Sequence, residues 1–449
     1  MNCIRFAKTL PAALGASVAV AVLSGAGGAA AQAVAPAADP LPAADSPGKA
    51  ITGGKLLLDV RARYEFVDQQ KTAVLTENAE AYTVRTLLGW ETAPWAGLQA
   101  LVEGKAVRSL GPERYAVNVP GAATPPLNGA DKARFPLVND PETTELNRLQ
   151  LTWKPNDGFD VTGGRQVIMI DDQRFIGDVG WRQDEQTFDA VRTDLKWKDL
   201  RLFYAYVTHV NRGLGTERDW DSDSHLANLV WRIDPALQLE GFLYALDFRN
   251  SAANTSLTRG LKASGAYPTG AYRFAYHATY ARQTDWRHAT TPYGLDYWAL
   301  DAAVGAGMAT GKVDWEVLQG NGVRGFTTPL ATTHAFQGWS DAFVQPLGGN
   351  KGFVDGLKDL NFTLDLRPPI GVAHVAKPDL LVRYHDFKDD RSGAELGHEW
   401  DAQILAGLTP KLIAALKFAD FQRVSRAPIG TAQPPPSRTK VWFTVEYRL

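Results

Sequence analysis

The chain of 449 residues carries one cysteine, Cys3, so neither a disulfide framework nor a cysteine-ligated zinc site can be built. Its formal net charge of -2 offers no electrostatic footprint for nucleic acid. After residue 33 no apolar run approaches the ~20 residues of a spanning helix. That absence does not exclude a membrane protein, because a barrel crosses with short alternating strands. What the chain does have is 41 glycines, 26 prolines and 10% aromatics, a composition that favours strands and turns over helices.

Residues 1–33 read as a secretory signal. Arg5 and Lys8 precede the apolar stretch 9–23, and the small-residue tract 26–33 ends in Ala31-Gln32-Ala33. Cleavage there would remove the cysteine and two positive charges but no negative ones, taking the net charge from -2 to -4. Export without cysteine suggests a Gram-negative envelope. Residues 34–52, rich in Ala, Pro and Asp, read as a flexible periplasmic linker. The remainder, 53–449, reads as one domain.

That domain alternates. In 55–66 one parity holds Leu56, Leu58, Val60, Ala62, Tyr64 and Phe66, and the other holds Lys55, Leu57, Asp59, Arg61, Arg63 and Glu65. The C-terminus sets Val441, Phe443, Val445, Tyr447 and Leu449 against Lys440, Trp442, Thr444, Glu446 and Arg448. A period of two gives a strand with one apolar and one charged face, whereas a helix would smear both sets around its circumference. Eighteen such segments follow one another, joined alternately by short links (Lys198, Asp234-Pro235, Thr409-Pro410) and by long ones (109–143, 169–186, 319–356). This asymmetry predicts an all-β fold, a transmembrane outer-membrane barrel of about 18 antiparallel strands with short periplasmic turns and long extracellular loops. Open edges in hydrocarbon would leave backbone groups unpaired, so the sheet must close. Tyr64, Trp90, Trp153, Tyr272, Tyr280, Trp400 and Tyr447 share the apolar parity, as interfacial girdles require.

The charged parity would then line a lumen, with Arg61, Arg63, Arg85, Arg148, Arg192, Lys196, Arg367 and Arg383 among its cations and Asp194 among its acids. Guanidinium groups hold carboxylates bidentately, so successive arginines could hand an acidic solute along. Mixed signs leave a plainer reading, in which opposite charges pair and stiffen the wall.

Gly164-Arg165-Gln166, FDAVRTD (Phe188 to Asp194), GFTTPLATTHAFQGWSDAF (Gly325 to Phe343) and HEWDAQILAGLTPKLIAALKFADF (His398 to Phe421) resemble the bacterial alginate export family. The resemblance implies an outer-membrane barrel of 18 strands with an arginine-rich pore for a secreted polyuronate, Arg165 and Arg192 being the foremost solute contacts. Arg165 falls off the simple alternation, and a bulge at Gly163-Gly164 would re-aim it.

The expected role is a passive channel exporting an anionic polysaccharide, with a porin for small anionic sugars or metabolites as the alternative. A hydrolase or lyase and a non-conducting surface-binding barrel rank lower. No nucleophile elbow, P-loop, dinucleotide fingerprint or zincin motif occurs. No cofactor or metal is expected. Asp219-Trp220-Asp221-Ser222-Asp223 opens like a calcium loop but has Ser224 and Val230 where glycine and glutamate are needed. Asp171-Asp172, as strand neighbours, would face opposite ways. The partners expected are the anionic solute, outer-membrane lipid and lipopolysaccharide, and the barrel-assembly machinery. The oligomeric expectation is a monomer.

Overall fold

The computed structural model describes residues 41–117, 125–343, 353–369, 376–424 and 434–449. The signal segment 1–33 and the first part of the linker lie outside the described residues. Within the expected linker a short helix, α1 (Pro47–Thr52), is capped by the Ser46 side chain on the Lys49 amide. Trp90 donates its indole N–H to the Ile51 carbonyl at 3.0 Å, so this end of the linker is held at the periplasmic rim.

Every expected strand is present. They are β1 (Lys55–Gln69), β2 (Ala79–Glu91), β3 (Leu98–Ser109), β4 (Thr143–Asn156), β5 (Phe159–Gln166) and β6 (Thr187–Trp197). Next come β7 (Leu200–Asn211), β8 (Trp220–Asp234), β9 (Leu237–Leu246), β10 (Ser256–Thr269), β11 (Tyr272–Thr284) and β12 (Gly294–Ala306). The last six are β13 (Ala309–Gln319), β14 (Gly356–Leu366), β15 (Ala376–Lys388), β16 (Glu395–Thr409), β17 (Leu412–Arg423) and β18 (Arg438–Arg448). Each pairs antiparallel with its neighbour in sequence, and β1 pairs with β18 from Asp59↔Arg448 to Gln69↔Arg438. The sheet is closed, and no strand edge is left for the hydrocarbon to desolvate.

The alternation sorts the two faces. Leu88, Leu149, Leu261, Leu300, Phe362, Leu416 and Phe443 are exposed on the outside, together with Trp153, Tyr272, Tyr280 and Trp400. Arg61, Arg63, Glu65, Arg85, Glu103, Lys105, Lys417 and Glu446 point inward and are buried. An apolar exterior around a polar interior inverts a soluble protein and is stable only in a bilayer. No helix among the described residues is long and apolar enough to cross a membrane; the strands do the crossing.

Loops supply what the strands cannot. Two of the long links, 167–186 after β5 and 320–343 after β13, turn into the barrel. Their apolar side chains join inward-facing strand residues in one cluster: Ile168, Ile176, Phe326 and Leu330 lie with Phe203, Phe242, Tyr244 and Leu318. Phe175 sits 5.1 Å from Phe242 and 5.3 Å from Tyr297, ring to ring. The barrel thus has a core, built by its own loops.

Leu416, exposed opposite Ile404 and Phe443, lies midway along β17. Leu416→Arg should cost about 2–4 kcal/mol of folding free energy in lipid, as a charge at the bilayer midplane does. Denaturant titration in lipid vesicles, followed by heat-modifiable gel mobility, reads this directly.

Candidate functional site

The charged rows of β1–β3 and β18 form one side of the lumen, and the 167–186 loop is pinned to it. Arg61 donates to the carbonyl of Gly180 at 2.8 Å, and Arg63 to that of Trp181 at 2.7 Å. Arg85 pairs with Asp59 at 2.9 Å and Glu446 at 3.2 Å, with Glu185 of the loop at 3.8 Å. Lys105 meets Asp184 at 2.5 Å and Glu145 at 3.0 Å, and donates to the Glu185 carbonyl at 2.8 Å. A register shift between Glu103 and Gly104 leaves Asn147 bulged, and its amide donates to Glu103 at 2.7 Å and to Glu185 at 2.6 Å.

The 320–343 loop binds the adjoining stretch of wall, β16 and β17. Ser340 donates its amide and hydroxyl to Glu399 on β16, both at 2.6 Å. Gly338 reaches this point with φ +82, where any side chain would strike the Glu399 carboxylate. Lys417 lies 3.9 Å from the Trp181 ring centroid and 3.7 Å from that of Trp339, with His334 at 3.0 Å. This cation–π cage joins β17 to both loops.

The loops also hold each other. Trp181 stacks on His334 with centroids 4.1 Å apart and planes 4° from parallel. Arg182 reaches Glu65 on β1 and Asp341 on the second loop, each at 3.0 Å. Lys440 adds a 2.7 Å bond to Asp341. On the β10–β13 side, Asp171 and Asp172 converge on Lys262, and Arg174 and Gln337 both reach Glu316. The two aspartates sit in a turn, not on a strand, so they do not face opposite ways as alternation had suggested.

Above this closure a cavity of about 360 Å³ opens, walled by Trp181, Trp220, Pro329, Phe343 and Phe353 and charged by Arg182, Arg212, Arg438, Lys440 and Asp341. Arg212 lies 3.7 Å over the Trp220 ring and donates to the Pro329 carbonyl at 3.3 Å. Arg438 donates to the Asp341 backbone carbonyl at 3.2 Å. Neither guanidinium is ion-paired among the described residues, and the Nε of Arg438 has no acceptor. Burial lowers the Arg212 guanidinium to about 10, with only Asp219 opposing; it stays charged at neutral pH. Arg182 and Lys440 are balanced by Glu65 and Asp341, so the cavity's cations without an ion pair among the described residues are Arg212 and Arg438.

The inward rows keep most of their expected members, but their work differs from residue to residue. Arg61, Arg63 and Arg85 are buried under the first loop. Arg148 is bidentate to Glu103 at 2.8 and 2.6 Å, and Arg383 donates to Thr363 at 2.9 Å. Arg192 faces the lumen from β6 with about a quarter of its side chain exposed, 3.9 Å from Asp194, which Arg201 holds at 2.7 Å. Lys196 follows on the same row nearer the periplasm. Arg367 lies just past β14, paired to Asp365 at 3.0 Å and Asp379 at 3.2 Å.

Arg165 is a correction. The β4–β5 ladder runs unshifted from Trp153↔Val161 to Leu149↔Arg165, so no bulge re-aims the side chain. Arg165 stays on the outer row beside exposed Leu149 and pairs with Asp189 at 2.8 Å. Gly164, at φ +113, takes the inward position instead. The sequence reading missed Arg182, Arg212 and Arg438, which lie in or beside loops. For Arg182 the signal available was its place after Trp181 in a loop that carries five acidic residues and only one other cation, Arg174.

The match to the alginate export family covers residues 55–208, from β1 into β7. It takes in the Gly164-Arg165-Gln166 and FDAVRTD stretches and the first inward loop, and leaves the other two motifs outside. The chain is an outer-membrane β-barrel that resembles the alginate export family. Among solved structures, the Pseudomonas aeruginosa protein OccK9 (OpdG) superposes with a TM-score of 0.66 at 12% identity, covering 89% of this chain and 100% of that one. Acinetobacter baumannii OccAB2 gives 0.64 at 15%, covering 90% and 100%. P. aeruginosa OpdK, solved with vanillate, gives 0.64 at 13%, covering 89% and 99%. These likenesses establish the shared barrel fold. A search of curated protein sequences finds no match.

The two loops should respond to pH in opposite senses. Burial lifts Asp184 to about 7 against the pull of Lys105, and lifts Asp178 to about 6 with Glu185 adding to the push. A raised carboxyl holds its proton better when seated, so this contribution is complete below about pH 4 and is lost as pH rises through 6–7. Burial and Lys417 hold His334 well below its ordinary 6.5 despite Asp341. A depressed histidine favours the seated loop above pH 6.5, and that contribution is lost as pH falls below it. Protease cleavage of the refolded barrel should therefore increase within 167–186 at pH 8 and within 320–343 at pH 5. Asp184→Asn should flatten the first response.

Proposed function

We propose that the chain is a passive outer-membrane channel for small carboxylated solutes, of the size of a single sugar acid, entering through the cationic cavity above the paired loops. The observation that carries this reading is the cavity itself. Its volume lies in the range of small-molecule sites, its walls are aromatic, and Arg212 and Arg438 leave guanidinium donors without an acid. Planar guanidinium forks suit a carboxylate, and indole faces suit the apolar face of a ring. Beneath the closure, Arg192 and Lys196 continue the cationic track toward the periplasm, with Arg201 beside them. Arg61, Arg63, Arg85, Arg148 and Arg383 act in this account mainly by fixing the loops and wall, with Asp194 and Arg367 tuning charge on the periplasmic side. Contacts at several separated points permit exit as well as entry.

A second reading, export of a polyuronate, draws on the family match over 55–208. In that reading the two loops leave the lumen together to pass a polymer. Both readings share uronate chemistry and differ in the width of the open state.

Planar-bilayer recording of the mature chain separates them. Wild type should prefer anions over cations, and a monomeric uronate added on the extracellular side should interrupt the current. Arg212→Gln combined with Arg438→Gln should weaken that block about tenfold, the worth of one charge-assisted hydrogen bond. Block by a polyuronate but not by its monomer would favour the export reading. Current without anion preference or block would contradict both.

A further inference from the structure

We infer that the barrel carries a binding site for the phosphate of an outer-leaflet lipid headgroup, built by Arg259 on β10 and Arg282 on β11. The observation is a pair of like charges where sheet energetics disfavour one. Arg259 and Arg282 are directly opposite each other in the β10–β11 ladder, and cross-strand like charges repel. Both belong to the outward row, because the next pair down is Leu261↔Tyr280, 68% and 44% exposed, while Thr258 and Lys262 on the other parity are buried.

Their height matches a headgroup. β10 enters the membrane at Ser256 and β11 leaves it at Thr284, so the arginines stand at the extracellular end, one outward pair above Tyr280. Tyr280 and Trp298 lie 5.9 Å apart at the aromatic belt, where the apolar band gives way to headgroups.

One carboxylate is near, and it does not satisfy both cations. Asp296 on β12 is opposite Arg282, takes its Nη1 at 2.8 Å and accepts the Tyr280 hydroxyl at 3.0 Å. Arg259 is exposed and faces Leu243 on its other side, with no ion pair or side-chain hydrogen bond among the described residues. Asp223 on β8 and Asp247 just past β9 are taken by Arg287 and His288. The local excess is one positive charge on a guanidinium aimed into the headgroup layer, beside a second with free N–H groups. A phosphate monoester bridging them relieves the repulsion through charge-assisted hydrogen bonds, and the acyl chains continue down over Leu261, Leu243 and Leu300. The outer leaflet of a Gram-negative cell presents such a phosphate on its glycolipid.

The test uses the full mature chain in detergent, titrated with bisphosphorylated lipid A, its dephosphorylated form and inorganic phosphate, with bound lipid counted by native mass spectrometry. Phosphorylated lipid A should stay bound to wild type. Arg259→Glu, and the milder Arg259→Gln combined with Arg282→Gln, should each weaken binding about five- to tenfold while single-channel conductance is unchanged. Equal retention of the dephosphorylated lipid, or no effect of either variant, would overturn the site. Inorganic phosphate competing as well as lipid A would overturn the assignment to a lipid.

Discussion

A water-filled barrel can carry charged inner rows at little cost, but once loops fill the lumen those charges are desolvated and must be paired. This constraint organises the molecule. Removing one partner from a buried pair costs about 3–5 kcal/mol, so each loop residue that covers a wall charge must answer it. Arg182 meets that demand at three places at once, joining β1, its own loop and the opposing loop through Glu65 and Asp341. The Lys417 cage repeats the arrangement on the adjoining strand β17, with indole faces in place of carboxylates.

Function follows from what the closure leaves over. Within the barrel's middle most charges are balanced, and little remains to bind a solute. Charge is unbalanced just outside that zone: above it in the cavity of Arg212 and Arg438, below it along Arg192 and Lys196. In the proposed function, an anion entering from above would meet donors already desolvated and held in place by stacking on Trp220 or by the backbone carbonyls of Pro329 and Asp341. Preorganised donors of this kind bind without paying to order themselves.

The strands and their facing were legible in the sequence because both follow from a period of two. Bilayer and lumen impose opposite chemistries on alternate residues, so Arg61 and Phe443 declare their sides without reference to any neighbour. The fate of the loops was not legible in the same way. Whether 167–186 or 320–343 turns inward depends on matching Asp184 to Lys105 and Ser340 to Glu399, and these partners are 79 and 59 residues apart in the chain. Trp442 illustrates the difference. Its parity put it inward, but its purpose appears only when Trp181 arrives 5.8 Å away. Arg165 failed for a local reason: Gly164 absorbed the backbone irregularity at positive φ, and the ladder continued in register. The segment ending at Thr52 was read from composition as linker, yet Ser46 and Pro47 are a helix cap and first turn.

The central claim is that the paired loops set the width of the channel. It is tested most directly by single-channel conductance of wild type against Arg182→Ala, which removes the Glu65–Arg182–Asp341 bridge that ties the two loops to each other and to β1. The account predicts that conductance rises severalfold and that a polyuronate excluded by wild type then blocks the current. Conductance unchanged in a folded Arg182→Ala barrel would contradict it.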